Sequence, residues 1–224
     1  ASAYSVLDKD ERNLGTALID IGGGTSDIIV YYNNSILHTA AIPYGGTNIT
    51  KDIAFGIKTT LEKAESIKCE YGLAKESLAS DEKNISIIGT NGRSDIEVSQ
   101  KQISRIIEAR MKEIFVLAKN EINNTDYEEI LTFGIVITGG GSKLNNIADL
   151  AMEVFQEEVK LGRPYSINGL NDIIDNPRYA TTIGLIKYAL EKKDLDVDNN
   201  DNNSNLISKI KKNLKKFINY LNIK

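Results

Sequence analysis

Residues 16–27 read Thr-Ala-Leu-Ile-Asp-Ile-Gly-Gly-Gly-Thr-Ser-Asp. An apolar run, Ala17-Leu18-Ile19, leads into Asp20, and Gly22, Gly23 and Gly24 follow. After Thr25, Ser26 and Asp27 a second apolar run leaves, Ile28-Ile29-Val30-Tyr31-Tyr32. The pattern predicts strand, tight glycine turn, strand, with strands over 16–20 and 27–32. Glycine has no Cβ, so backbone N–H groups can converge on a phosphate that a side chain would block. A carboxylate at the strand end can hold Mg²⁺ through water, because Mg²⁺ keeps several of its own waters. The plainer alternative is a hairpin whose glycines only make the turn, although such a turn needs one or two glycines rather than three between Asp and Thr.

A second triplet answers the first about 115 residues later. Phe133-Gly134-Ile135-Val136-Ile137-Thr138 reads as a buried strand by its largely apolar run. Gly139-Gly140-Gly141-Ser142 comes straight after it, then a helix expected over about 144–156. Strand, glycines, helix is the order that lets a nucleotide approach a helix N-terminus. It is not a Walker A loop, because Ser142 precedes Lys143 and the first glycine stands too close, and it is not G-x-G-x-x-G.

Around the triplets helical and strand patterns alternate. Residues 1–7 read as a helix end and 8–13 as a charged turn. A strand over 35–42 follows the Asn33-Asn34 turn. Thr47 is a candidate N-cap for a helix over 48–60, and a second helix over 60–71 ends near Gly72. Two strands, 84–89 and 94–98, flank Asn91-Gly92. Ser99 with Gln102 has capping-box form and opens a long amphipathic helix to about Ile122. Residues 73–130 read as a small αβ subdomain inserted into a larger unit made of 1–72 and 131–192. Its last helix spans 179–191.

Composition narrows the classes. The chain has 224 residues and a net charge of −4, so it carries no global basic field for nucleic acid. Cys69 is the sole cysteine and His38 the sole histidine, which excludes an internal disulfide and argues against zinc. No apolar run approaches 18 residues, the length at which a membrane span is considered.

Asp-Ile-Gly-Gly-Gly-Thr-Ser-Asp at 20–27 and Thr-Gly-Gly-Gly at 138–141 resemble the second phosphate motif and the adenosine motif of the actin, sugar-kinase and DnaK-chaperone ATPases. Within that superfamily the chain most resembles the C-terminal half of FtsA, the actin-like cell-division family. The resemblance implies an α/β fold, half of an actin-like (ribonuclease H-like) ATPase with a mixed sheet and flanking helices. It implies ATP and Mg²⁺ as ligands, held by Asp20, Gly22, Gly23, Gly24, Thr25, Gly46, Gly139, Gly140 and Gly141. Glu65 and Lys68 resemble the Glu-x-x-Lys pair that brackets adenosine; from the residues alone they are an ordinary surface pair. The polarising acid and first phosphate motif of the superfamily belong to the other half, so hydrolysis is expected to be weak in the parent and absent in this half.

From Leu195 the composition turns polar, and 193–205 reads as a linker. Beyond it, Leu206, Ile207, Ile210, Leu214, Phe217, Ile218 and Leu221 fall within an arc of about 120° on a helical wheel. Lys209, Lys212 and Lys216 lie outside that arc. This is the profile of an interfacial membrane helix over 206–224, and the alternative is a helix docking on its own domain. The resemblance implies an adaptor at the cytoplasmic face of the bacterial inner membrane, at the division site. It would form actin-like protofilaments and bind the C-terminal peptide of the tubulin-like protein FtsZ, for whose acidic residues Arg105 and Arg110 are the candidates. A DnaK-like chaperone, a PilM-type pilus-assembly ATPase and an MreB-type protein are the alternatives within the superfamily.

Overall fold

The computed structural model describes residues 1–87, 94–124, 130–165 and 175–196. Five strands form one mixed sheet: β1 (Thr16–Ile21), β2 (Ser26–Tyr32), β3 (Ser35–Ile42), β6 (Ile135–Thr138) and β7 (Val159–Leu161). Their order is β3-β2-β1-β6-β7. β1, β2 and β3 pair antiparallel, whereas β1, β6 and β7 run parallel. A separate hairpin-like pair consists of β4 (Asn84–Ile87) and β5 (Ile96–Ser99). The mixed sheet with flanking helices matches the fold class read from the sequence.

Alternation along β1 and β6 decides which helices cover which face. Leu18 and Val136 point to one side, where they pack with Ala3, Val6 and Leu7 at α1 (Ser2–Val6) and Ala180 of α7 (Ala180–Asp196). Ala17, Ile19, Ile21, Ile135 and Ile137 point to the other side. There they meet α3 (Gly46–Gly56), α4 (Leu61–Tyr71), α5 (Gln100–Asn123) and α6 (Ile147–Phe155). β1 is therefore buried on both faces, which accounts for its near-continuous apolar run.

The long helix α5 forms as its capping box directs. Ser99 Oγ accepts the Gln102 N–H at 3.2 Å, and Gln102 Oε1 accepts the Ser99 N–H at 3.2 Å. Ile103, Ile107, Met111, Ile114, Phe115, Ala118 and Ile122 make its buried stripe. That stripe belongs to the same core as Ile19 and Ile21, and Phe115 meets Phe155 of α6 edge-on with ring centroids 5.6 Å apart. The segment 73–130 thus contributes β4 and β5 as a separate small sheet but shares its helix with the main core.

Several boundaries move. The charged stretch 8–13 is not a turn but helix α2 (Lys9–Leu14), because Asp8 and Glu11 form a capping box of 2.8 and 2.9 Å bonds. Helix α3 is capped by Gly45 rather than Thr47, and it stops at Gly56 as the chain passes through Lys58 at φ 54°. Residues 140–143 make a 3₁₀ turn, so α6 starts at Ile147 after Asn146 at φ 61°. α7 runs through Asp196, past the expected start of the linker at 193, since no Gly or Pro interrupts 185–196. The Asn91-Gly92 turn, most of the loop 167–177, the remaining linker and the helix expected over 206–224 lie outside the described residues.

The shared core makes a sharp prediction. Ile107→Ala should cost about 2–5 kcal/mol in chemical denaturation. Val116→Ala, on the solvent side of the same helix, should stay within about 0.5 kcal/mol of the parent. A loss below that smaller figure for Ile107→Ala would mean that α5 does not stabilise the sheet.

Candidate functional site

The parallel strands β1, β6 and β7 end at one edge of the sheet, where open α/β sheets bind ligands. Asp20 lies beside Thr138 in the β1–β6 register, so the two glycine loops leave the sheet next to each other. The glycines serve two purposes. A Cβ at Gly139, held at φ +86°, would collide with Asp20 Oδ1 and the Ile21 carbonyl, and one at Gly141 would collide with the Ile21 side chain. These two are glycine because the loops touch. Gly23, Gly24 and Gly140 are different. A Cβ at Gly24 or Gly140 meets nothing within 4 Å, and at Gly23 the nearest atom is Thr47 Oγ1 at 3.6 Å. None of the three has a positive φ. The chain's own packing gives no reason for glycine at these positions, and the space above Gly24 and Gly140 is open.

The first loop is aimed by α3. The Gly46 N–H donates to the Gly22 carbonyl at 2.9 Å, and the Thr47 N–H to the Gly23 carbonyl at 2.7 Å. Gly45 fits only as glycine, since a Cβ there would stand 2.6 Å from the Gly22 oxygen. In a trans peptide the C=O of one residue and the N–H of the next point in opposite directions. With the Gly22 and Gly23 carbonyls turned to α3, the N–H groups of Gly23 and Gly24 are directed away from it. Two neighbouring N–H groups presented in this way form an anion-binding concavity.

Beside this loop, α4 adds a polar cluster. Lys68 Nζ donates to the Gly46 carbonyl at 3.0 Å, to Thr50 Oγ1 at 2.9 Å and to Glu65 Oε2 at 2.6 Å. Thr50 Oγ1 also bonds the Glu65 carboxylate. Burial pushes the Glu65 carboxyl up, but the hydrogen bonds from Lys68 and Thr50 and the lysine charge outweigh it and leave it below the usual range. The Glu65–Lys68 pair and Gly46, read apart from it in the sequence, are thus brought together. Thr50, one turn into α3 from Gly46, was missed; its i+4 spacing from Gly46 is the signal that could have found it.

The second loop stands against the end of α4, where the Ala74 N–H donates to the Asn145 carbonyl at 2.8 Å. Beyond it opens a cavity of about 350 Å³ lined by Ser142, Lys143, Asn146, Arg163, Asp175 and Pro177, among others. Arg163 and Asp175 pair across 2.9 Å.

Asp20 has a partner that the sequence does not single out. Thr181 Oγ1, in the first turn of α7, donates to Asp20 Oδ2 at 2.9 Å. Asp27 stands directly opposite Asp20 across β1 and β2, and carboxylates so placed repel unless a cation lies near them. Among the described residues no three His, Cys, Asp or Glu side chains cluster as a direct cation cage. The arrangement fits Mg²⁺, which needs one or two carboxylates once phosphate and water fill its remaining positions.

The two arginines proposed for an acidic peptide are already engaged. Arg105 donates to Glu76 Oε1 at 3.0 and 2.6 Å. Arg110 makes a two-bond fork to Asp52 of α3 at 2.6 and 3.0 Å, contacts Glu113 at 2.5 Å and lies 5.4 Å above the Tyr44 ring. An incoming carboxylate would have to displace these partners, so Arg110 serves first as a clamp between α3 and α5.

Comparison with known proteins places this geometry in a family. The FtsA model, "Cell division protein FtsA", matches residues 17–184, which spans both glycine loops. The FtsA of Pseudomonas aeruginosa is 42% identical over 193 residues, 86% of this chain and 46% of that protein. The FtsA of Escherichia coli K12 is 37% identical over 198 residues, 85% of this chain and 47% of that protein. The chain spans about half the length of the curated relatives it matches. Among solved structures, MreB 5 of Spiroplasma citri bound to AMPPNP superposes with a TM-score of 0.69 at 22% identity, covering 87% of this chain and 59% of that one. The PilM–PilN pilus biogenesis complex reaches 0.55 at 17% identity, covering 79% of this chain and 46% of that one. The fold is half of an actin-like ATPase, and the chain belongs to the FtsA family of cell-division proteins.

Proposed function

We propose that the chain is the ATP-holding C-terminal half of an actin-like membrane adaptor in bacterial cell division. The observation that carries the reading is the room for a Cβ at Gly23, Gly24 and Gly140, none of which packing requires to be glycine, with two loop N–H groups directed away from α3. The Gly22–Thr25 turn holds the phosphates. Glu65 and Lys68, steadied by Thr50, lie on the adenosine side with Gly139–Gly141. Asp20 orients a water of Mg²⁺, and the bound ion supplies positive charge that neutralises the phosphates. The family resemblance assigns the groups that close the cleft to the other half of the fold, so in this reading this half binds nucleotide and the complete fold is needed to hydrolyse it.

Nucleotide serves as ligand and switch for assembly into actin-like protofilaments. Segment 73–130 is the inserted subdomain that meets the FtsZ C-terminal peptide, with Arg105 the more available arginine: its side chain is 68% exposed against 24% for Arg110. The 206–224 segment binds an anionic membrane surface on the cytoplasmic side. Among the described residues no helix is long and apolar enough to cross a membrane.

Because a Cβ at Gly140 meets open space and one at Gly23 makes only an ordinary contact with Thr47 Oγ1, Gly23→Ala and Gly140→Ala should fold as the parent does. By restricting the unfolded chain they should gain about 0.4–1 kcal/mol where the backbone is compatible. Yet calorimetry on the protein at its natural length should show ATP affinity falling at least about tenfold, a loss of about 1.4 kcal/mol. Parental affinity in both folded variants would remove the cleft assignment. The membrane arm has its own test. Phe217→Glu should abolish sedimentation with anionic liposomes, because it puts a charge inside the apolar arc. A 204–224 peptide should turn helical on anionic vesicles, since so short a helix is marginal in water. An unchanged circular dichroism spectrum would favour docking on the protein instead.

A further inference from the structure

We infer that Thr181 is a positioning residue for the metal carboxylate and ties it to the crossing of α1 and α7. The inference rests on the reading of Asp20 as the group that meets Mg²⁺ through water. Thr181 Oγ1 donates to Asp20 Oδ2 at 2.9 Å, across 161 residues of sequence. The other oxygen, Oδ1, lies against the bare Cα of Gly139, where any Cβ would collide with it. One oxygen is fastened and the other has a wall, so the carboxylate is held at one rotation about its Cβ–Cγ bond.

The hydroxyl that fastens it is itself fixed. Ser5 Oγ of α1 donates to the Ala180 carbonyl at 2.6 Å, one residue before Thr181. One turn on, Gly184 lets the Ala1 carbonyl approach so closely that no Cβ would fit. Farther along, Tyr188 meets Tyr4 edge-on at 6.0 Å. Three contacts along the crossing thus set the position of α7, and Thr181, whose β-branching leaves few χ1 rotamers, carries that position to Asp20 through its hydrogen bond. A shift of α7 against α1 would release Oδ2 and let the carboxylate turn. Outer groups of this kind act on metal affinity by orienting the groups that face the ion.

Calorimetry of ADP binding with and without Mg²⁺ tests the inference on the protein at its natural length, with Thr181→Val, Thr181→Ser and Asp20→Asn. Val keeps the branched shape and removes the hydroxyl, whereas Ser keeps the hydroxyl. The ratio of Mg-ADP to metal-free ADP affinity should fall about tenfold in Thr181→Val, return in Thr181→Ser and fall furthest in Asp20→Asn. Metal-free affinity and melting temperature should stay near the parent in both Thr181 variants. If Asp20→Asn lowers the ratio but Thr181→Val does not, the positioning role is overturned and the reading of Asp20 stands. Should Thr181→Val lower both affinities equally, Thr181 is only a tie between α7 and the sheet, and the inference is again overturned. A parent protein with no gain from Mg²⁺ would overturn both.

Discussion

The closeness of β1 and β6 governs the rest of the structure. They pair parallel from Ala17 to Asp20, so the two loops that leave them must pass within contact of one another. Gly139 and Gly141 are the residues that allow this, since a side chain at either would strike Asp20 or Ile21. The same approach places Asp20 at the junction of the loops and leaves the far sides of Gly23, Gly24 and Gly140 open. A structural demand within the sheet and an uncrowded cradle above it therefore arise from one pairing.

The helices on the apolar face keep that cradle in shape. α3 receives the carbonyls of Gly22 and Gly23 on its first N–H groups, which fixes the direction of the loop. α3 is in turn clamped to α5 by the Arg110–Asp52 fork, with the guanidinium also lying over Tyr44, two residues before α3. Such a forked pair adds geometric definition beyond its energy. The buried stripe of α5 joins the core that carries Ile19 and Ile21. Helix α5 is consequently linked, through α3, to the loop proposed to hold phosphate.

Much of this was legible in the sequence because it depends on local signals. The apolar runs entering Asp20 and Thr138, the two glycine triplets and the Ser99–Gln102 capping box each specify their own element. What escaped were features that depend on distant partners. Thr181 reads as one of several small helix residues, and only the α1–α7 crossing brings its hydroxyl to Asp20. Thr50 reads as an ordinary helix residue until α4 folds against it. Arg105 and Arg110 read as free surface charge because Glu76, Asp52 and their spacing from α5 are set by tertiary packing. Helix α2 had a local signal, Asp8 with Glu11, in a stretch whose charge suggested a turn. The glycines themselves could not be sorted into those required by packing and those left open until the register of β1 and β6 was known.

The central claim is that the N–H groups of Gly23 and Gly24 meet a phosphate while Asp20 faces its Mg²⁺. The most direct measurement is a titration of ¹⁵N-glycine-labelled protein with Mg-AMPPNP followed by amide resonances. The amides of Gly23, Gly24 and Gly140 should shift with one common saturation curve. Gly15 and Gly134, at the opposite ends of β1 and β6, should not move. Saturable shifts elsewhere with Gly23 and Gly24 unmoved would contradict the account.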